Sequence, residues 1–315
     1  KVFPCRRSRV FLGFLLDENG IRPDPEKIKT FQNMTPPKTF FEVRQLVGFL
    51  NFNTMMIPRL AITLQPITQL LANMPAGAGK KPRPNTPPPQ CELLGDRWST
   101  EQQNAFDTIR TALTNAVAVA YPHPTGLFVL STDASSHGIG AILQQFQPIP
   151  DNPSKQELRT LAFASRPLKA AEKNYAATKL ELLAVVTFVQ RFHQYLIGRR
   201  FILLTDHYAL QWLFTSMSTS EGIMARWITR LSVYDIAVFY RKGTDNTAAD
   251  FLSRKEYTDV ELTTMMLQSD LRLTSGHSRP RMVTQATQIN SDDYVLAVMP
   301  FPEISYVDEI ATFQT

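Results

Sequence analysis

Two segments, LFVLSTDA (127–134) and RFILLTDH (200–207), are near-continuous apolar runs that each finish in Thr-Asp. A strand that is apolar on both sides of its pleat must be covered on both faces, which selects parallel strands of an α/β sheet over a half-solvated antiparallel one. As parallel neighbours about 4.8 Å apart, the two runs would bring Asp133 and Asp206 together at the carboxyl edge of the sheet, where open α/β sheets hold ligands. The plainer reading of either aspartate is a cap on the element that follows.

The surrounding pattern is consistent with that sheet. From Trp98 the periodicity predicts a helix at 99–115 capped by Ser99, strands at 127–132 and 138–146, an apolar stretch at 161–164, and a long helix at 175–196. A strand at 201–205, helices near 207–214 and 222–231, a strand at 236–240 and a helix near 246–253 follow. That order makes an α/β domain with a mixed sheet covered by helices. Ahead of it, 10–16 reads as one apolar strand ending at the Asp17-Glu18-Asn19-Gly20 turn. Asp24 and Pro25 open a helix that Pro36-Pro37 ends. Thr39 and Glu42 form a capping box before a second helix, in a helical unit running to about Leu71. Residues 75–90 hold six prolines in sixteen positions, a linker or exposed loop.

Composition narrows the class. With 315 residues, 43% of them hydrophobic and 19% charged, a folded core is expected. No apolar run is long enough for a membrane helix and KVFPCRRSRV is no signal peptide, so the expectation is a soluble intracellular chain with no membrane partner. Two cysteines, Cys5 and Cys91, indicate neither a disulfide framework nor a zinc site. Residues 1–60 carry 10 basic and 5 acidic side chains, 61–255 carry 20 and 14, and 256–315 carry 3 and 9. A basic body with an acidic tail suits a polyanionic partner.

Two further carboxylates stand out. In LELLAVVTFV (180–189) only Glu181 and Thr187 are polar, so this helix is apolar in nearly every direction and reads as buried. An ionised glutamate there needs a cation or donors; an arginine partner would serve, and so would a divalent metal shared with Asp133 and Asp206. Asp250, in DNTAADFLSR, reads alone as a solvated helix charge. Carboxylates without a Cys/His cluster select hard cations, Mg²⁺ or Mn²⁺. Two such ions about 4 Å apart suit phosphodiester hydrolysis.

The segments VFLGFLLDENGIRPDPEKIK, TPPKTFFEVRQLVGFLNF, LSTDASSHGIGAILQQ, FASRPL, EKNYAATKLELLAVV, FILLTDHYALQWL, ARWITRLSVYDI and YRKGTDNTAADFLSR, in that order, resemble the C-terminal half of a Ty3/gypsy-type LTR-retrotransposon reverse transcriptase. The resemblance implies the end of a palm with its primer-grip hairpin at 1–20, a helical thumb at 21–72, a Pro-rich linker at 73–97, a ribonuclease H domain at 98–254 and an acidic tail at 255–315. It implies an RNase H-like mixed five-stranded sheet flanked by helices, two Mg²⁺ or Mn²⁺ ions, and an acidic quartet on Asp133, Glu181, Asp206 and Asp250. The implied partners are an RNA/DNA hybrid and the remaining polymerase and integrase parts of a polyprotein, in a cytoplasmic virus-like particle or the nucleus. The polymerase motif Tyr-x-Asp-Asp is absent, and Asn51-Phe52-Asn53-Thr54-Met55-Met56-Ile57 lacks two cations common in the family's thumb. A non-catalytic nucleic-acid-binding remnant is the rival reading.

Around these acids, Ser135, Gly138 and Gly140 read as a small-residue turn open to a nucleic-acid backbone, or as ordinary hairpin geometry. Arg166, Lys169, Lys173 and Lys179 read as phosphate contacts or a solvated face. Tyr240 stands where cellular ribonucleases H place a histidine used in product release. His137, His193 and His207 are scattered, and Trp212 and Trp227 read as core.

Overall fold

The computed structural model describes residues 7–81, 89–116, 118–207, 210, 222–240 and 257–258. Its first element differs from the single strand expected over 10–16. Strands β1 (Ser8–Phe11) and β2 (Phe14–Asp17) form a hairpin, and β3 (Gly20–Pro23) completes a three-stranded antiparallel sheet. The chain reverses at Leu12 and Gly13, both at positive φ (48° and 84°), the conformation that a two-residue hairpin turn needs. Leu12 adopts it without a glycine's freedom, so apolar content alone hid the turn.

Helices α1 (Pro25–Gln32), α2 (Phe40–Phe52), α3 (Leu60–Thr63) and α4 (Gln65–Ala72) follow. Asp24 caps α1 by accepting from the Glu26 N–H, and Thr39 caps α2 by accepting from the Glu42 N–H. The Glu42 carboxylate reaches back to the N–H of Lys38 at 2.6 Å, one residue beyond the reciprocal partner of a capping box. Helix α5 (Thr100–Thr114) begins with a full capping box between Ser99 and Gln102. It does not join the α/β core. Its Ala105, Phe106, Ile109 and Leu113 pack with Phe31, Phe40, Leu46, Leu50, Leu60 and Ile67 of the preceding helices.

The Pro-rich segment is correspondingly less free than a spacer at its described ends. Ala78 and Leu94 are buried in the same helical core. The Leu94 N–H donates to the Lys38 carbonyl at 3.0 Å. Glu92, itself buried, accepts from the backbone N–H groups of Phe41 and Gly79.

Strands β4 (Phe128–Ala134), β5 (Gly138–Ile149), β6 (Asn152–Pro167), β7 (Arg200–Thr205), β8 (Asp235–Tyr240) and β9 (Tyr257–Thr258) form one sheet in the order β8-β7-β4-β5-β6-β9. It is mixed: β4 and β8 lie parallel to β7, while β5 and β6 are antiparallel. The five principal strands are the five expected, and β9 adds a two-residue edge. Phe128, Leu130, Phe201 and Leu203 enter the large core beneath α6 (Ala177–Arg191), α7 (His193–Leu196) and α8 (Gly222–Leu231). Val129 and Ile202 face the opposite side with Phe146 and Leu158. Burial on both faces is the reason for the unbroken apolar runs. Strand β6 is far longer than the apolar stretch at 161–164, because its first residues, 152–157, are exposed or half-buried and carry no apolar alternation.

Candidate active site

Strands β4 and β7 pair from Phe128 opposite Phe201 to Ser131 opposite Leu204. Two residues further along the two chains stand Asp133 and Asp206, at one carboxyl edge, as the strand runs predict. Helix α6 crosses this sheet with all of Glu181 to Val186 buried, so its second turn delivers Glu181 to the same edge. The Ala134 N–H donates to Glu181 Oε1 at 3.2 Å, which ties the helix to the end of β4.

Glu181 is 7% exposed, and its Oε2 is buried with no hydrogen-bond partner. Burial, then the charges of Asp206 and Asp133, push its carboxyl up to about 8, against the pull of the Ala134 N–H. The arginine partner weighed for it from the sequence is not its neighbour in these interactions. An orphaned carboxylate oxygen beside two like charges is an arrangement that a hard cation would relieve. Among the described residues, no three His, Cys, Asp or Glu side chains form a group that could hold a metal ion. Asp250 lies outside the described residues, as does Trp212.

The neighbours sort as follows. Ser135 closes an ordinary hairpin turn, its N–H donating to the Gly138 carbonyl at 2.9 Å and its hydroxyl to the same oxygen at 3.0 Å. The space over Gly138 is taken by Ile62 of α3, since a Cβ there would meet the Ile62 side chain at 2.6 Å. Packing, rather than approach by a nucleic acid, accounts for that glycine. Arg166 forks onto Glu172 at 2.8 and 3.2 Å. Burial would raise the Glu172 carboxyl, but Arg166 and the Lys169 N–H, with the charges of Arg166 and Lys169, hold it below the ordinary glutamate value. Lys169 and Lys173 are exposed just before α6, and Tyr240 is exposed at the end of β8. Lys179 sits over the Tyr175 ring at 3.8 Å. His207 meets Thr178 at 2.7 Å and His193 meets Tyr234 at 2.7 Å, so these histidines do not cluster. Trp227 is core.

One residue at the site carried no signal in the sequence. Arg59, in the turn before α3, places its guanidinium 4.0 Å from the Asp133 carboxylate. A lone arginine after Pro58 has no motif, and its proximity depends on how α3 docks.

The family model for an RNase H-like domain found in reverse transcriptase matches residues 98–203, which include Asp133 and Glu181. The chain is 31% identical over 258 residues to the retrovirus-related Pol polyprotein from transposon gypsy of Drosophila melanogaster, covering 81% of this chain and 23% of that one. It is 30% identical over 304 residues to the polyprotein from transposon 412 of the same fly, covering 94% of this chain and 22% of that one. The chain thus spans about a quarter of the length of these relatives. Among solved structures, the foamy viral protease-reverse transcriptase in complex with dsDNA matches with a TM-score of 0.56 and 20% identity, over 75% of this chain and 45% of that one. Its complex with RNA/DNA hybrid matches with a TM-score of 0.56 and 18% identity, over 75% and 29%. These structures share the fold. Among the described residues, no helix is long and apolar enough to cross a membrane.

Proposed function

We propose that this chain, which belongs to the Ty3/gypsy-type retrotransposon reverse-transcriptase family and carries its RNase H-like domain, is a ribonuclease H that cleaves the RNA strand of RNA/DNA hybrids endonucleolytically. The observation that carries the proposal is the buried, half-satisfied Glu181 carboxylate behind Asp133 and Asp206 at the ends of paired parallel strands. Asp133, Glu181, Asp206 and Asp250 would hold two Mg²⁺ or Mn²⁺ ions. Such ions, when bound, supply activation of the attacking water and charge at the leaving oxygen.

The chain's own residues have separate tasks. Glu181 holds a proton on its carboxyl at neutral pH and would give it up on ligating a cation. The Ala134 N–H keeps that carboxyl oriented. Lys169 and Lys173, both exposed just before α6, would contact phosphates, and Ser135 and Tyr240 would flank the hybrid; Arg166, paired with Glu172, would support this rim. Recognition by backbone shape and 2′-hydroxyls predicts little sequence preference. In this reading 1–20 is the end of a palm, 21–72 a thumb, 73–97 a linker, 98–254 the nuclease domain and 255–315 a tail, all within a polyprotein whose DNA synthesis lies elsewhere.

Incubation with a labelled hybrid and Mg²⁺, beside Asp133→Asn, tests the site; equal cleavage by both proteins would sink it. The rival reading is a binding remnant; among the described residues no three His, Cys, Asp or Glu form a group that could hold a metal ion. It predicts salt-sensitive hybrid binding without Mg²⁺-dependent cleavage.

A further inference from the structure

Arg59 is held next to Asp133 by an unusual local structure. Its backbone is left-handed, at φ 56° and ψ 18°, a conformation that a non-glycine residue adopts at a cost. The segment around it is fixed on two sides. Ile57, Leu60 and Leu64 are buried in the helical core, while the Ala61 N–H donates to the Ser165 hydroxyl of β6 at 2.9 Å and Ile62 fills the space over Gly138. Helix α3 therefore docks on the sheet beside the carboxylate edge and aims the arginine at it.

The ion pair does not by itself account for this arrangement. Its side chains are 59% and 50% exposed and its separation is 4.0 Å, and such a pair contributes little to stability. What the geometry places at the edge is a planar, permanently charged fork of donors, the group best matched to phosphate oxygens. We infer that Arg59 is a phosphate-contacting residue of the nuclease site, gripping the RNA strand beside Asp133 and supplied by the helical segment rather than by the RNase H-like domain. The inference rests on the ribonuclease H reading for the identity of the substrate. It implies that the helical unit contributes directly to cleavage.

Hybrid binding in EDTA tests it, because that assay needs no cleavage. Arg59→Asn removes the charge and tolerates the left-handed backbone; Arg59→Gly relieves the strain altogether; Arg59→Lys keeps the charge. Expected for the first two variants is hybrid affinity weaker by about tenfold, with the salt-dependence slope shallower by about one. The lysine variant should restore the slope. In Mg²⁺, the same loss should raise KM for cleavage. Affinity and slope unchanged in Arg59→Asn would overturn the inference, as would lost binding accompanied by lower unfolding midpoints in both neutral variants. A lower Mg²⁺ requirement at unchanged KM would also overturn it, by reducing Arg59 to a counter-charge for Asp133. Wild-type protein that fails to cleave, while Arg59→Asn still weakens binding, would defeat the nuclease reading and leave this one standing.

Discussion

Replacing Glu181 with glutamine keeps the shape of the side chain and removes its charge. In the folded chain this carboxyl titrates at about 8, against an ordinary value of 4.5. The folded state therefore binds the proton more tightly than the unfolded state, so the glutamate's contribution to stability is lost as pH rises from the lower value towards the higher. At about 1.4 kcal/mol per tenfold change in proton affinity, keeping Glu181 buried costs about 1 kcal/mol at pH 5, about 3 at pH 7 and about 4 to 5 at pH 9. The glutamine can still accept from the Ala134 N–H, but its amide nitrogen replaces an oxygen that has no partner, a loss of about 1 to 2 kcal/mol at every pH. Urea unfolding in EDTA should therefore find Glu181→Gln no more stable than wild type at pH 5 and more stable by about 2 to 4 kcal/mol at pH 9. Added Mg²⁺ should narrow or reverse the difference at pH 9 by stabilising the wild type more than the variant. A difference between the two proteins that stays constant from pH 5 to pH 9 would refute the assignment of Glu181 as a buried, charge-crowded acid.

Other outcomes follow from the same structure. The Mg²⁺ concentration for half-maximal cleavage should fall as pH rises towards about 8, where Glu181 releases its proton, and pH-resolved initial rates measure it. Glu92→Ala leaves the N–H groups of Phe41 and Gly79 without their buried acceptor; about 2 to 3 kcal/mol of stability should go, with faster proteolysis within 73–97. Gly138→Ala drives a methyl into Ile62 and the Arg166 carbonyl, and denaturant melts should record a loss of about 1 to 3 kcal/mol.

Much of the α/β domain was legible because its signals are local. The two Thr-Asp runs announced strands buried on both faces, and their pairing in register brings Asp133 and Asp206 together. The apolar surround of Glu181 announced a buried helix, and every residue from Glu181 to Val186 is buried. What local pattern leaves open has another cause. The turn at Leu12-Gly13 lacks a conspicuous breaker pair, residues 152–157 at the start of β6 lack a buried apolar residue, and α5 shows an apolar face without showing which core it fills.

That division has a physical basis. Periodicity and composition report how much of each segment is buried, because burial acts on neighbouring side chains along one helix or strand. They thereby determined the sheet, the central helix and the acids at its edge. Which surfaces meet depends on shape and charge brought from distant parts of the chain. Only the tertiary structure could attach α5 to the helical unit, latch Glu92 onto the N–H groups of Phe41 and Gly79, and seat α3 over Gly138 so that Arg59 reaches Asp133.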